Sequence, residues 1–164
     1  MRKQALISRI DVIQYENAFG FEKFLVKSRL SSSLKGLIKV RVSQINDCSF
    51  CLNLHTVDLI VLGETEKRIN SIKEWRKVSF FNETEQAVLA LAEELTFTDH
   101  KCSDNTINNI SRLLDEVSLA QAIIVILATN AWNKIATAIP EVSGLGYSQQ
   151  TSLLKSANAI LYLS

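Results

Sequence analysis

The sequence predicts an all-α fold: a single-domain helical bundle of about seven or eight helices. Apolar residues recur at helical spacing along most of the chain, and alternating apolar and polar runs bounded by turns are scarce. The chain also contains one proline and five glycines, so few positions interrupt a helix. With 164 residues, 47% of them hydrophobic, and no linker or internal repeat, residues 1–164 are predicted to form one domain with one core.

Helical spacing alone supports the first predicted helix, 11–28. The serines at 31–33 provide a turn and a cap for the second helix, 32–45. Asn46 or Asp47 is a suitable N-cap for the third helix, 47–62. Gly63 fits the left-handed position that follows a helix end.

The fourth predicted helix, 65–73, opens with a charged run in which the acids come first, as the helix dipole favours. Asn82 can cap the fifth helix, 83–96, while Glu85 reaches back to the amide of Asn82. The remaining helices are predicted at 105–113, 116–138 and 148–162, and Pro140 cannot continue the second of these.

The most apolar segment, 119–132, is shorter than the ~20 residues that a membrane span needs. Its sequence, LAQAIIVILATNAW, is therefore predicted to be part of a core helix. The formal net charge is +1 and the basic residues are scattered, so no electrostatic footprint for nucleic acid or a membrane surface is present. No signal-peptide pattern precedes the first helix, so we expect a cytoplasmic protein with reduced thiols.

Two of the three cysteines and one of the two histidines lie within eight positions, in the stretch SQINDCSFCLNLH. Cys48, Cys51 and His55 would share one side of a helix, because their offsets are three and seven residues. The start of a helix favours a thiolate, and His55 could hold or pass a proton at neutral pH. The carboxylate of Asp47 would oppose a thiolate at Cys48, which favours Cys51 as the nucleophile.

Three interpretations of this stretch are open. A redox pair agrees with the spacing and the helix start. A zinc site would need a fourth ligand from His100 or Cys102, and no second closely spaced ligand pair exists. Packing as small buried hydrophobic residues would explain each cysteine alone, but not their alignment with His55.

The stretch resembles the signature of the alkyl hydroperoxidase D-like branch of the carboxymuconolactone decarboxylase superfamily. The resemblance starts with VRVSQIN and continues through Cys48-x-x-Cys51-x-x-x-His55, and it covers most of residues 10–140. It includes the later segments GETEKR at 63–68, WR at 75–76, FF at 80–81, ExxxLA at 85–90 and NAWNK at 130–134.

The resemblance implies an antioxidant thiol peroxidase, an oxidoreductase that acts on hydroperoxides with peroxiredoxin-like activity. It implies that Cys51 attacks the peroxide, that Cys48 resolves the sulfenic acid, and that His55 belongs to a proton relay. It also implies a homo-trimer or hexamer and a protein dithiol reductant of lipoyl or thioredoxin type. No cofactor and no metal are expected.

One departure from the family pattern concerns the relay. The family usually has a glutamate twelve residues before the first cysteine, and this chain has Gly36 there. Either another carboxylate reaches the site, with Glu16 and Glu22 as candidates, or peroxidase turnover is impaired. In the second case we expect a thiol–disulfide exchanger or redox sensor with weak peroxidase activity.

Overall fold

A computed structural model describes residues 28–97 and 102–138, and Arg29–Ala138 form one compact unit. The described residues contain helices and no strand, which confirms the all-α prediction. Six α-helices occur in this part of the chain: α1 (Ser32–Ile45), α2 (Ser49–Val61), α3 (Glu66–Asn70), α4 (Glu83–Thr96), α5 (Asp104–Ile110) and α6 (Glu116–Ala138). A 3₁₀ helix, Ser71–Lys77, follows α3 directly.

The central helix is α1, which contacts α2, α4 and α6. Its buried residues lie around most of its circumference, as expected for a helix surrounded by others: Leu34, Gly36, Leu37, Ile38, Val40, Val42 and Ser43. Each neighbouring helix covers a different side of α1. The cysteine-containing stretch that follows α1 therefore starts from the centre of the core.

Helix ends follow local chemistry. Ser31 caps α1 by accepting a hydrogen bond from the Leu34 amide, as predicted. Asn82 and Glu85 form the predicted capping box at the start of α4. Gly63 has a φ of 93°, which confirms its predicted left-handed position after α2.

The predicted helix 65–73 was wrong in extent. The α-helical part ends at Asn70, and the chain continues as a 3₁₀ helix to Lys77, with non-helical dihedral angles at Glu74. This tighter segment buries Ile72 and Trp75 against the core, and tertiary packing therefore overrides the local helical signal.

Helix α6 buries one face against α1 and α4, as predicted for a core helix. In the described part of the chain it is the one helix that could cross a membrane by length and composition, a test that core helices of soluble proteins also pass. The predicted helices 11–28 (except for its last residue) and 148–162, together with Pro140, lie outside the described residues. The single-domain assignment of residues 1–164 therefore stays a prediction.

Candidate redox site

The turn between α1 and α2 places the cysteine pair. Asp47 has a φ of 51°, and its amide donates to the Gln44 carbonyl, while the Cys48 amide donates to the Ser43 carbonyl. These two bonds around a left-handed residue form a Schellman motif, which ends a helix. Asn46 and Asp47 therefore complete α1, and the prediction that one of them caps α2 was wrong.

Cys48 itself is the N-cap of α2. Its sulfur accepts a hydrogen bond of 3.3 Å from the Cys51 amide, one of the amides that a helix leaves unpaired in its first turn. The predicted helix 47–62 consequently starts at Ser49, and Cys51 is its third residue.

The two cysteines are joined by a disulfide, with 5.3 Å between their Cα atoms. Both are buried, with 3% of Cys48 and 5% of Cys51 exposed. The packing interpretation is therefore correct about burial, but the two sulfurs are bonded to each other. Bond formation within one helical turn is what a redox pair at a helix start requires.

His55 lies one turn after Cys51 on α2 and is partly buried. Its Nδ1 atom is 3.5 Å from Oδ2 of Asp58 on the next turn. A carboxylate at this distance can orient the imidazole. Sequence analysis missed Asp58, although its spacing of three residues from His55 could have revealed it.

Gly36 has a steric role in the interface between α1 and α2. A Cβ atom at this position would lie 2.4 Å from Cδ2 of Leu59, a contact that real side chains do not make. The fully buried Leu59 side chain thus fills the space beside residue 36, where the family pattern has its relay glutamate. The alternative carboxylates Glu16 and Glu22 lie outside the described residues.

A cleft of about 530 Å³ opens beside the pair. Cys48 lines it, and Cys51 and His55 are not among the described residues that do. The lining combines apolar side chains with polar and charged ones: Arg41, Ser43, Gln44, Asp47, Cys48, Ser49, Leu52, Thr56, Ile69, Asn70 and Lys73.

Side-chain amides of α6 hydrogen-bond to the end of α1 and to the turn that follows it. The Asn46 side chain donates to Oδ1 of Asn130 at 2.7 Å, and Asn130 donates in turn to Thr96 on α4. The fully buried Asn133 donates to the Ser43 hydroxyl at 3.3 Å. These contacts support the structural interpretation of buried amides, which hold together the helices that carry the cysteines.

Glu93 on α4 anchors one wall of the cleft. Its carboxylate accepts from Trp75 Nε1 at 2.9 Å and from Arg41 Nε at 2.8 Å, and it also pairs with Arg76. Burial alone would raise the pKa of the Glu93 carboxyl, but the Trp75 and Arg76 hydrogen bonds and the Arg41 charge outweigh it and lower the pKa.

Cys102 is a free thiol that contacts Glu94. Burial, together with the Glu94 carboxylate, raises the pKa of the Cys102 thiol to about 11, so this cysteine is a poor nucleophile at neutral pH. His100, the other predicted zinc ligand, lies outside the described residues. Within residues 28–97 and 102–138 no three potential metal ligands come together.

Two comparisons of sequence place the chain among known proteins. The model of the carboxymuconolactone decarboxylase family matches residues 11–94. The protein YdfG of Bacillus subtilis (strain 168) is 34% identical over 119 residues, which is 72% of this chain and 81% of YdfG.

Solved structures share the fold. ATU0492 from Agrobacterium tumefaciens, described as a candidate antioxidant defence protein AhpD, has a TM-score of 0.77 at 24% identity, covering 82% of this chain and 92% of that one. A peroxidase-related protein from Silicibacter sp. TM1040 has a TM-score of 0.70 at 21% identity, covering 78% and 69%. The debrominase Bmp8, solved in complex with 2,3,4-tribromopyrrole, has a TM-score of 0.68 at 18% identity, covering 75% and 67%.

The family match extends over the turn, the cysteine pair and His55. Taken together with the disulfide at the start of α2, these comparisons show that the chain belongs to the carboxymuconolactone decarboxylase family, with an AhpD-like fold.

Proposed function

We propose that the protein is a thiol peroxidase that reduces hydroperoxides with the Cys48–Cys51 pair. The observation that carries the proposal is the bonded pair at the start of α2, with His55 and its Asp58 carboxylate one and two turns further on. The AhpD-like and peroxidase-related relatives of the same fold support it.

In the proposed cycle the Cys51 thiolate attacks the distal oxygen of the hydroperoxide. The O–O bond breaks, Cys51 becomes a sulfenic acid, and the alkoxide leaving group takes a proton from His55. The Cys48 thiol then gives its proton to the neutral His55, and the resulting thiolate attacks the sulfenic sulfur. The S–S bond forms, the S–O bond breaks, and the hydroxide takes that proton from His55 and leaves as water. Cys51 is thus the peroxidatic thiol, Cys48 the resolving thiol and His55 the proton donor.

Return to the dithiol state requires two electrons from a reductant. We propose a protein dithiol of lipoyl or thioredoxin type, without a metal or another cofactor, and a cytoplasmic setting in which thiols stay reduced. We also propose a homo-trimer or hexamer, supported by an exposed apolar face of α6 that contains Val117, Leu127 and Ile135.

Cys51→Ser should abolish hydroperoxide consumption in an assay coupled to a dithiol donor, because the attacking sulfur is removed. Cys48→Ser should leave one oxidation event and stop turnover at a sulfenic acid, detectable with a dimedone label. Cys102→Ser is the matched control and should retain wild-type turnover, because Cys102 has no part in the cycle. Turnover that persists in Cys51→Ser would refute the assignment of the nucleophile.

A second candidate, thiol–disulfide exchange with little peroxidase activity, is favoured by one observation: Leu59 fills the space beside Gly36, where the family's glutamate would stand. An exchanger would cycle between dithiols and disulfides but would leave hydroperoxide unconsumed. The wild-type arm of the same coupled assay, run with and without hydroperoxide, separates the two functions.

A further inference from the structure

We propose that the cleft beside the cysteine pair selects hydroperoxides whose organic part carries a carboxylate, with Lys73 and Arg41 as the residues that attract this group. The proposal rests on the proposed peroxidase cycle and deepens it, because it names the substrate class of the same site. It starts from the way in which charged side chains are distributed along the cleft.

Arg41 brings positive charge to the wall formed by α1. Its guanidinium pairs with Glu93 at 2.6 Å, and the same carboxylate also pairs with Arg76. The Glu93 carboxyl is ionised at neutral pH, since its pKa lies below the ordinary value of 4.5. Two guanidinium groups thus share one carboxylate, which leaves one positive charge of this cluster uncompensated. Of the two arginines, Arg41 lines the cleft.

Lys73 adds a second positive charge from the 3₁₀ helix. It is exposed, it lines the cleft, and it forms no ion pair with any residue that the structure describes. Trp75 of the same helix and Arg41 donate to one oxygen of Glu93, at 2.9 and 2.8 Å. The 3₁₀ helix is therefore joined to the part of α1 that contains Arg41, and the two cations lie on the same side of the cleft.

The cysteine pair lies further along α1 from this cationic side. With a helical rise of ~1.5 Å per residue, Arg41 and Asp47 are separated by roughly 9 Å along the helix axis. Asp47 adjoins Cys48, and both residues line the cleft. The Asp47 carboxylate repels an anion from the sulfur side, while Arg41 and Lys73 attract it to the other.

The remaining lining suits an organic body between these two sides. Leu52 and Ile69 supply apolar surface, and the volume of about 530 Å³ lies within the ~300–1,000 Å³ typical of ligand pockets. A hydroperoxide with an aromatic or aliphatic body and a carboxylate at its far end can therefore place the carboxylate beside Lys73 and the O–O bond beside the cysteine pair. A neutral hydroperoxide of the same shape lacks the first contact.

The alcohol that reduction would produce tests the site without a redox step. The oxidised protein is titrated by calorimetry with 4-(2-hydroxypropan-2-yl)benzoate and, separately, with its methyl ester. The wild type should bind the carboxylate at least about threefold more tightly than the ester, and Lys73→Gln should lose most of this difference. A wild type that does not prefer the carboxylate, or a preference that survives in Lys73→Gln, would overturn the proposal.

Two further variants separate a local contact from an effect of net charge. Lys73→Arg keeps the charge and should keep the preference. Lys77→Gln, at an exposed position of the same 3₁₀ helix outside the cleft, is the matched control and should bind both compounds as the wild type does. Equal loss of the preference in Lys73→Gln and Lys77→Gln would assign it to the net charge of the protein and overturn the proposal.

Turnover distinguishes failure of the proposal from failure of the peroxidase. In the coupled assay, kcat/KM should be at least about threefold higher for 4-(2-hydroperoxypropan-2-yl)benzoate than for its methyl ester. In Lys73→Gln this ratio should fall, mainly through a higher KM for the carboxylate. Equal kcat/KM values for the two compounds in the wild type would overturn the selective cleft alone, whereas consumption of neither compound would refute the peroxidase.

Discussion

His55 and Asp58 bear on the relay glutamate that the sequence lacks at position 36. The sequence predicts a helical face shared by two cysteines and a histidine, and it shows no carboxylate in the family's position. The structure places Asp58 Oδ2 3.5 Å from His55 Nδ1, on the same helix. A carboxylate can therefore reach the histidine from its own helix, and not from α1.

Asp58→Asn should slow oxidation of Cys51 by hydroperoxide by about tenfold or more, because the imidazole loses the charge that orients it for proton transfer. Stopped-flow measurements over a range of pH test this, since a purely structural role would leave the shape of the pH profile unchanged. Asp58→Glu should restore part of the rate. A wild-type pH profile in Asp58→Asn would contradict the assignment of Asp58 as a positioning residue.

The glycine at position 36, where the family pattern has a glutamate, is explained by the packing of Leu59 against α1. Gly36→Ala should lower the free energy of unfolding by about 1–3 kcal/mol, because the added Cβ would overlap Leu59. Truncating the Leu59 side chain should relieve the overlap. In urea denaturation, Gly36→Ala should therefore lower the free energy of unfolding by less in a Leu59→Ala background than in the wild type.

Gly63→Ala is the matched control for this pair. Gly63→Ala should lower the free energy of unfolding because of the φ of 93° at this position, and no atom lies within 4 Å of the added Cβ. Leu59→Ala should therefore not change the size of this decrease. Equal costs of Gly36→Ala in both backgrounds would contradict the steric account.

Among elements, the α1–α2 turn shows where local sequence rules reach their limit. Asn46 and Asp47 are good N-cap residue types, and the sequence therefore predicts that they start α2. In the structure the same residues end α1 in a Schellman motif, because the two helices are joined by so few residues that one turn must serve both. The type of side chain does not reveal which of two adjoining helices it caps.

The capping box of α4 and the glycine after α2 could be predicted, because each depends on residues within a few positions of each other. Asn130 and Asn133 also show that a polar residue in an apolar helix marks a contact. Their partners on α1 and in the following turn lie more than 80 positions away along the chain, so no local pattern could identify them.

Glu93 joins α4 to α1 and to the 3₁₀ helix, and its depressed pKa makes this connection depend on pH. A carboxyl whose pKa is lower in the folded than in the unfolded state stabilises the fold above its ordinary pKa, and this contribution is lost as the pH falls through the folded value. We therefore expect Glu93 to stabilise the protein at neutral pH and down to about pH 4.5, its ordinary pKa.

Glu93→Gln should lower the free energy of unfolding at pH 7 by about 2–4 kcal/mol, since Arg41 loses a largely buried counter-charge. In this variant the free energy of unfolding should also decrease less steeply as the pH falls below about 4.5. Urea denaturation at a series of pH values measures both effects. Glu83→Gln, at an exposed position of the same helix, should change both little, and a Glu93→Gln curve parallel to the wild-type curve would refute the assignment.

At the scale of the whole molecule, the sequence predicts the helical fold class and, through the cysteine–histidine spacing, the position of the candidate site. Both follow from patterns that repeat within one or two helical turns. The cleft, the Glu93 network and the filling of the space beside Gly36 each combine side chains from two or more helices. These features depend on which helices pack together, and only the folded chain specifies that.

The same long-range packing turns a short motif into a site. Helix α1 lies between α2, α4 and α6, and amides from α6 hold the turn that sets the two sulfurs within bonding distance. The pair is therefore held by the core as a whole, and we expect its redox chemistry to be lost together with cooperative folding.

Titration of the reduced protein with one equivalent of hydroperoxide tests the central claim most directly. We expect two thiols to disappear for each peroxide consumed, and peptide mapping should find Cys48 and Cys51 joined while Cys102 remains free. Thiols that survive the titration, or oxidation confined to Cys102, would contradict the proposal that this pair reduces hydroperoxides.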